Sequence, residues 1–187
     1  MNKRVKSRIN HFLFHKEFAN HKRSHQTVSF RDAKTIGIIY DSTDEKNYEI
    51  IKKYVKDLRD IYKKDVLALG YYDKRDLPND RYAKLGLDFF TRKSLNWYFK
   101  PVAPVVRNFM NKNFDIFIDL HTGNSISFKY ITASTKAKFK IGKYDRLSSN
   151  FYDFMIILQE PVTLRHFIEQ VNHYLDLIRT GVTEDKT

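Results

Sequence analysis

The chain contains no cysteine. Disulfides, thiolate metal centres and cysteine nucleophiles are therefore excluded, and the composition fits a reducing, cytoplasmic setting. Glycine and proline are sparse, with 6 and 4 among 187 residues, so collagenous and low-complexity classes are excluded as well. No apolar run approaches the roughly 20 residues that cross a bilayer. Near the positive N-terminus the apolar cluster Phe12–Leu13–Phe14 is flanked by His11 and His15, too short for the core of a signal peptide. Acids are outnumbered: 22 Asp and Glu face 34 Lys and Arg, a net charge of +12. A field of that sign favours polyanionic partners such as nucleic acid or anionic lipid, and says nothing about fold.

Apolar residues are plentiful, at 42%, and 15 Phe and 12 Tyr dominate the aromatics. That is enough to build a full core in one domain and to exclude wholesale disorder.

The charge is unevenly placed. Residues 1–34 hold Lys3, Arg4, Lys6, Arg8, Lys16, Lys22, Arg23, Arg31 and Lys34 against Glu17 and Asp32, a net +7, which leaves +5 for the other 153 residues. Val5, Ile9, Phe12 and Leu13 recur at helical spacing, so the segment reads as a basic amphipathic helical arm. Such a helix can pack its stripe on its own domain, bind structured RNA through the nine cations, or lie on a membrane surface. His11, His15, His21 and His25 recur in pairs four apart, but nothing completes a metal set, and they read as part of a basic surface. The expectation is no metal and no cofactor.

From Thr35 onward apolar strands alternate with amphipathic helices. "TIGIIYD" (35–41), "DVLALGYYD" (65–73), "DFF" within 87–99, "FDIFIDL" (114–120), "FKIG" (139–142) and "FYDFMIIL" (151–158) read as strands. Helices are expected after residue 42, with Ile50, Ile51, Tyr54, Val55, Leu58 and Ile61 inward, over "VVRNFMNKN", over "NSISFKYITASTKAK", and after Pro161. The pattern predicts one α/β domain, Rossmann-like and three-layered, with a mostly parallel sheet over residues 35–180. The arm 1–34 precedes it and the polar tail 181–187 follows.

Right-handed crossovers bring the carboxyl ends of parallel strands to one edge, where ligands bind. Asp41, Ser42, Asp119, His121, Gly123, Asn124 and Ser125 should meet there. Asp41 is either a general base or, more commonly, a helix cap. Asp119 among apolar residues is hydrogen-bonded or tuned for chemistry. Asp119 and His121 share a strand face, so a carboxylate–imidazole pair is possible, with no nucleophile in evidence. Gly123, Asn124 and Ser125 open a helix whose N-terminus could hold an anion, or else serve as a turn glycine and a serine cap. The glycine-rich dinucleotide fingerprint, the phosphate-binding P-loop, the serine-hydrolase elbow and the HExxH zinc motif are all absent.

The stretch "FDIFIDLHTGNSISFKYITASTKAKFKIG" resembles part of the N-terminal half of heptosyltransferase-like sugar transferases, glycosyltransferase family 9. That resemblance implies a Rossmann-like fold and puts Asp41 where the family's acidic catalytic residue follows its first strand. The basic arm, "SLNWYFKP" and "FDIFIDL…AKFKIG…YDFMI" further resemble an uncharacterised family of short basic proteins from Bacteroidota, which implies a bacterial cytoplasmic setting. The leading functional expectation is a non-enzymatic adaptor that binds structured RNA, as on a ribosome, through its arm. The alternatives are a transferase or hydrolase working in the crevice, and a peripheral subunit on an anionic membrane or in a protein complex. No small-molecule ligand is assigned.

Overall fold

A computed structural model describes residues 3–20, 26–84 and 86–178, with side chains from residue 8 onward. Lys22, Arg23 and the tail 181–187 lie outside the described residues, as do the side chains of Lys3, Arg4 and Lys6.

The strands are β1 (Thr35–Asp41), β2 (Asp65–Tyr72), β3 (Leu87–Thr91), β4 (Phe114–Asp119), β5 (Ala137–Lys143) and β6 (Phe154–Ile156). They form one sheet in the order β3-β2-β1-β4-β5-β6. Every pairing is parallel. This is the doubly wound Rossmann order, reversing between β1 and β4. The helices are α1 (Lys3–Phe18), α2 (Glu45–Asp60), α3 (Pro104–Asn111), α4 (Ile126–Ser134) and α5 (Leu164–Leu177).

Side-chain alternation on the central strands sorts the core into two layers. Ile36, Ile38 and Tyr40 of β1, with Ile116 and Ile118 of β4, pack against α2 (Tyr48, Ile51, Val55, Leu58) and α5 (Leu164, Phe167, Val171, Leu175). On the other face Ile39, Leu69 and Phe117 meet α3 (Val106, Phe109) and α4 (Phe128, Ile131). Burial on both faces explains why β1 and β4 read as near-continuous apolar runs.

The arm is not an appendage. Phe14 of α1 is buried against Tyr130 of α4 and Phe151, at ring-centroid distances of 5.0 and 5.4 Å. Lys100 clamps Glu17 through both carboxylate oxygens, at 2.6 and 2.7 Å. The docked face is Asn10, Phe14 and Phe18, one residue every four. Of the expected stripe, Phe12 is 67% exposed and Ile9 and Leu13 are only half-buried, while the side chain of Val5 lies outside the described residues. Ring-on-ring packing with Tyr130 and Phe151 set the rotation of the helix, and the aliphatic periodicity did not. Residues 26–34 belong to the body. Val28 and Ala33 lie in the main core, and the Gln26 N–H donates to the Lys138 carbonyl at 3.0 Å.

Three local expectations need correction. Pro161 does not open α5. It follows Glu160 in a cis peptide, and the helix begins after Thr163, whose hydroxyl accepts the His166 N–H. The last strand is only Phe154–Ile156, because Arg146–Phe151 winds into a short 3-10 helix and Ile157 turns out to solvent. Ile61 caps α2 and is exposed.

Candidate functional site

The crevice opens where the strand order reverses, between the carboxyl ends of β1 and β4. A cavity of about 590 Å³ there is lined by Asp41, Tyr71, Asp73, His121, Phe128 and Ser125, with Asn10 and His11 of α1 forming its far wall. A second, of about 390 Å³, continues past Gly123 and Asn124 to Lys143 and Tyr152. Both fall in the size range of small-molecule sites.

The β1–α2 turn is bound into itself. Ser42 is fully buried and donates its hydroxyl to the Tyr71 carbonyl at 2.9 Å. The cap of α2 is Asp44, which accepts the Asn47 N–H at 3.0 Å, and Glu45 fills the first turn. Buried Arg81 donates to the Ser42 carbonyl at 3.0 Å, pairs with Glu45 and lies 3.8 Å over the Tyr48 ring. Asp41 is thus not the cap. One of its oxygens accepts the Thr43 N–H at 2.8 Å, and the side chain faces the cavity. Beside it Asp73 is held by Arg92 through two bonds and by the Tyr71 hydroxyl. Those bonds hold Asp73 below the ordinary carboxylate range, the Arg92 bond foremost.

Asp119 is buried and fully engaged. It accepts the Thr132 hydroxyl at 2.9 Å, the Tyr152 hydroxyl at 2.7 Å and the His121 main-chain N–H at 2.9 Å. The bond between Asp119 and His121 therefore runs through the backbone, not the imidazole. Burial pushes Asp119 up despite these donors. Burial likewise lowers His121, whose ring stacks on Phe128 at 3.9 Å and 16°. A lowered histidine beside an aromatic platform is a neutral hydrogen-bonding wall at pH 7. Tyr152 reaches Asp119 because Gly142 leaves room: a Cβ there would lie 2.3 Å from the Tyr152 ring.

The start of α4 is different from that of α2. Ser125 occupies the cap position but makes no side-chain capping bond, and no acid lies in the first turn. The first main-chain bond runs from the Lys129 N–H to the Ser125 carbonyl. The N–H groups of Ile126, Ser127 and Phe128 thus precede the helix's own acceptors, and these three residues line the cavity. Phe99 overhangs them with φ of 63°, a strained conformation held by the Ser127 hydroxyl on its carbonyl at 2.7 Å.

Of the expected crevice residues, Asp41, His121, Asn124 and Ser125 share the larger cavity. Asp119 and Gly123 line the smaller one, and Ser42 is consumed by the fold. Sequence reasoning missed Asn10, Tyr71, Asp73 and Tyr152. Asn10 had a legible signal, since it stands four and eight residues before Phe14 and Phe18.

The sequence signature of one protein family covers residues 6–178. The chain belongs to DUF6913, a family of unknown function. No curated protein matches it, and no solved structure does. Within this DUF6913 chain residues 114–142 fold as β4, α4 and all but the last residue of β5, the unit that carries the crevice. Among the described residues no helix is long and apolar enough to cross a membrane.

The remaining cations of the arm lie elsewhere. Arg8, Lys16, Arg31 and Lys34 are all exposed. Lys34 immediately precedes β1, as Lys64 precedes β2 and Lys136 precedes β5. Parallel register puts these positions in a row along the amino edge of the sheet, opposite the crevice. Lys63 and Lys138 extend the row. Three acids oppose it: Asp65 pairs with Lys112, Asp115 with Lys138, and Asp32 is bonded to Ser29.

Proposed function

We propose that this DUF6913 protein is a non-enzymatic adaptor for structured RNA, and that its phosphate-binding footprint is the amino edge of the sheet together with the arm leading into it. The observation that carries this reading is the cationic row. Arg31, Lys34, Lys63 and Lys136 are exposed and make no ion pair among the described residues, and they cluster at one edge of a rigid sheet. Neighbouring strands are about 4.8 Å apart, so Lys34 stands about one strand spacing from the start of β2 and about two from Lys136, across β4. The engagement of Asp119 with three structural donors favours binding over catalysis at the opposite edge.

Deleting residues 1–34 is a poor test, because it removes Phe14, Val28 and Ala33 from the core. Charge reversal is the better experiment. The triple variant Lys34→Glu, Lys63→Glu, Lys136→Glu alters exposed side chains only. Ribosome and RNA co-sedimentation should show lower affinity for the variant and a shallower salt dependence, by about 0.7–0.9 in log–log slope for each phosphate that is no longer neutralised. Equal retention of both proteins on RNA, or retention on anionic liposomes alone, defeats the RNA reading. The second outcome favours the membrane alternative.

A transferase or hydrolase in the crevice is the second reading. Asp41 favours it, being a cavity carboxylate that caps no helix and, among the described residues, pairs with no cation.

A further inference from the structure

The amino edge of the sheet presents an aromatic ring as well as cations. Tyr62, just past the end of α2, is 54% exposed. Its ring does not hang free. It meets Phe30 at 5.2 Å between centroids and 74° between planes, and Phe30 is half-buried against the main core. Lys64 fixes the other partner: its Nζ lies 4.9 Å from the Phe30 centroid and donates to the Arg31 and Ala33 carbonyls at 3.1 and 2.6 Å. The pair is thus anchored to the body through Phe30, while Tyr62 keeps more than half its surface open to solvent. A ring held in place before a ligand arrives loses little freedom on binding.

The residue after this ring is the second observation. Lys63 has φ of 55°, in the left-handed region where a side chain is disfavoured and glycine is at ease. The turn around it is closed by the Lys64 N–H on the Leu58 carbonyl at 3.0 Å. The chain keeps a lysine there, exposed, where glycine would relieve the backbone. The Asp65 N–H donates to the Lys34 carbonyl at 2.8 Å, which joins this turn to the one bearing Phe30, Arg31 and Lys34. The acids nearby are Asp32, bonded to the Ser29 hydroxyl at 2.6 Å, Asp65, paired with Lys112 at 3.0 Å, and exposed Asp60. With Arg31, Lys34, Lys63 and Lys64 around the ring pair, the balance stays positive.

We propose that this turn is a binding site for an unpaired RNA nucleotide, with its base stacked on the Tyr62 ring and its flanking phosphates on Lys63 and on the cations of the Phe30 turn. The inference rests on the RNA reading and narrows it to single-stranded loops or ends. In a duplex both faces of a base are covered by its neighbours, so a protein ring can stack only where the base is splayed out. Cations alone would bind duplex and single strand alike. An exposed ring seated among them adds the term that discriminates, and it does so with little regard for base identity, because every base has a π-face.

The test uses the full chain and fluorescence anisotropy, with a short single-stranded RNA and a blunt duplex of the same sequence at one salt concentration. The single strand should bind more tightly. Tyr62→Ala should weaken single-strand binding about tenfold and leave duplex binding unchanged, whereas Tyr62→Phe should bind as the wild type does. A fluorescent purine analogue in the single strand should be quenched by the wild type and by Tyr62→Phe, but not by Tyr62→Ala. Lys63→Gly should raise the melting temperature while reducing the log–log salt slope by about 0.7, one phosphate of a single strand. Trp97→Ala removes a ring that is 57% exposed at the opposite edge of the sheet, and should change nothing. Duplex bound as tightly as single strand, or Tyr62→Ala binding at wild-type affinity, overturns the stacking site. The charge-reversed triple variant would still bind RNA more weakly in that case, so the RNA reading would stand. Binding of neither RNA, with or without retention on anionic liposomes, overturns both.

Discussion

Replacing Asp115 with Asn should destabilise the protein at neutral pH and do so less and less as the solution is acidified. Asp115 ties three strand ends together at the amino edge. One oxygen accepts the Lys34 and Thr35 N–H groups at 2.8 and 3.0 Å, and the other accepts Lys138 Nζ at 2.7 Å. Ladder pairing of β1 with β4 begins only at Ile36 and Ile116, so this carboxylate closes the sheet where the backbone does not. Partial burial raises its affinity for a proton, but the bonds from Lys138, Lys34 and Thr35 outweigh that and bring it from an ordinary 3.8 to about 2. A depression of that size is worth about 2.5 kcal/mol. The side chain of Lys138 is 55% exposed, so solvent screening reduces the net effect to about 1–2 kcal/mol. A carboxylate depressed in the folded state contributes fully above 3.8 and loses that contribution as pH falls toward about 2. By linkage about half is gone near pH 3. Urea unfolding followed by circular dichroism, wild type against Asp115→Asn across this range, measures the difference through the midpoint at constant slope. A deficit of the same size at pH 7 and pH 3 would refute the charge argument. No deficit at any pH would refute the strand-end clamp altogether.

Three further outcomes are expected. Asp119→Ala should cost about 2–4 kcal/mol in the same unfolding assay, because it strands the Thr132 and Tyr152 hydroxyls and the His121 N–H; an effect below about 0.5 kcal/mol would mean water replaces the carboxylate. Phe14→Ala should cost about 2–4 kcal/mol and free α1, so limited proteolysis should cut ahead of residue 26 while the body persists; an unchanged digestion pattern would contradict the aromatic docking. His121 should titrate below 6.5 by nuclear magnetic resonance, since burial lowers it, and stability should fall as pH drops below that value because the unfolded chain takes up the proton more readily; a value above 6.5 would show the ring to be charged in place.

What the sequence alone determined is the part governed by short-range patterning. Six β-rich apolar runs interleaved with amphipathic segments leave a parallel, doubly covered sheet as the way to bury them, and strand ends bearing Asp41, His121 and Ser125 must then share an edge. The expected helix positions followed from the same 3.6-residue period. Tertiary structure decided everything that depends on which neighbour arrives. Spacing on α1 offered two competing faces, and only the rings of Tyr130 and Phe151 selected the one that turns Asn10 inward. Asp119 looked like half of a dyad until Thr132 from α4 and Tyr152 from beyond β5 claimed its oxygens. The lysines ahead of β1, β2 and β5 are some 30 and 70 residues apart in the chain, and become one row only because parallel pairing stacks strand beginnings. Periodicity encodes which face of an element is apolar. It does not encode the partner that covers that face, and in this protein the partners decide which polar groups are left open to a ligand.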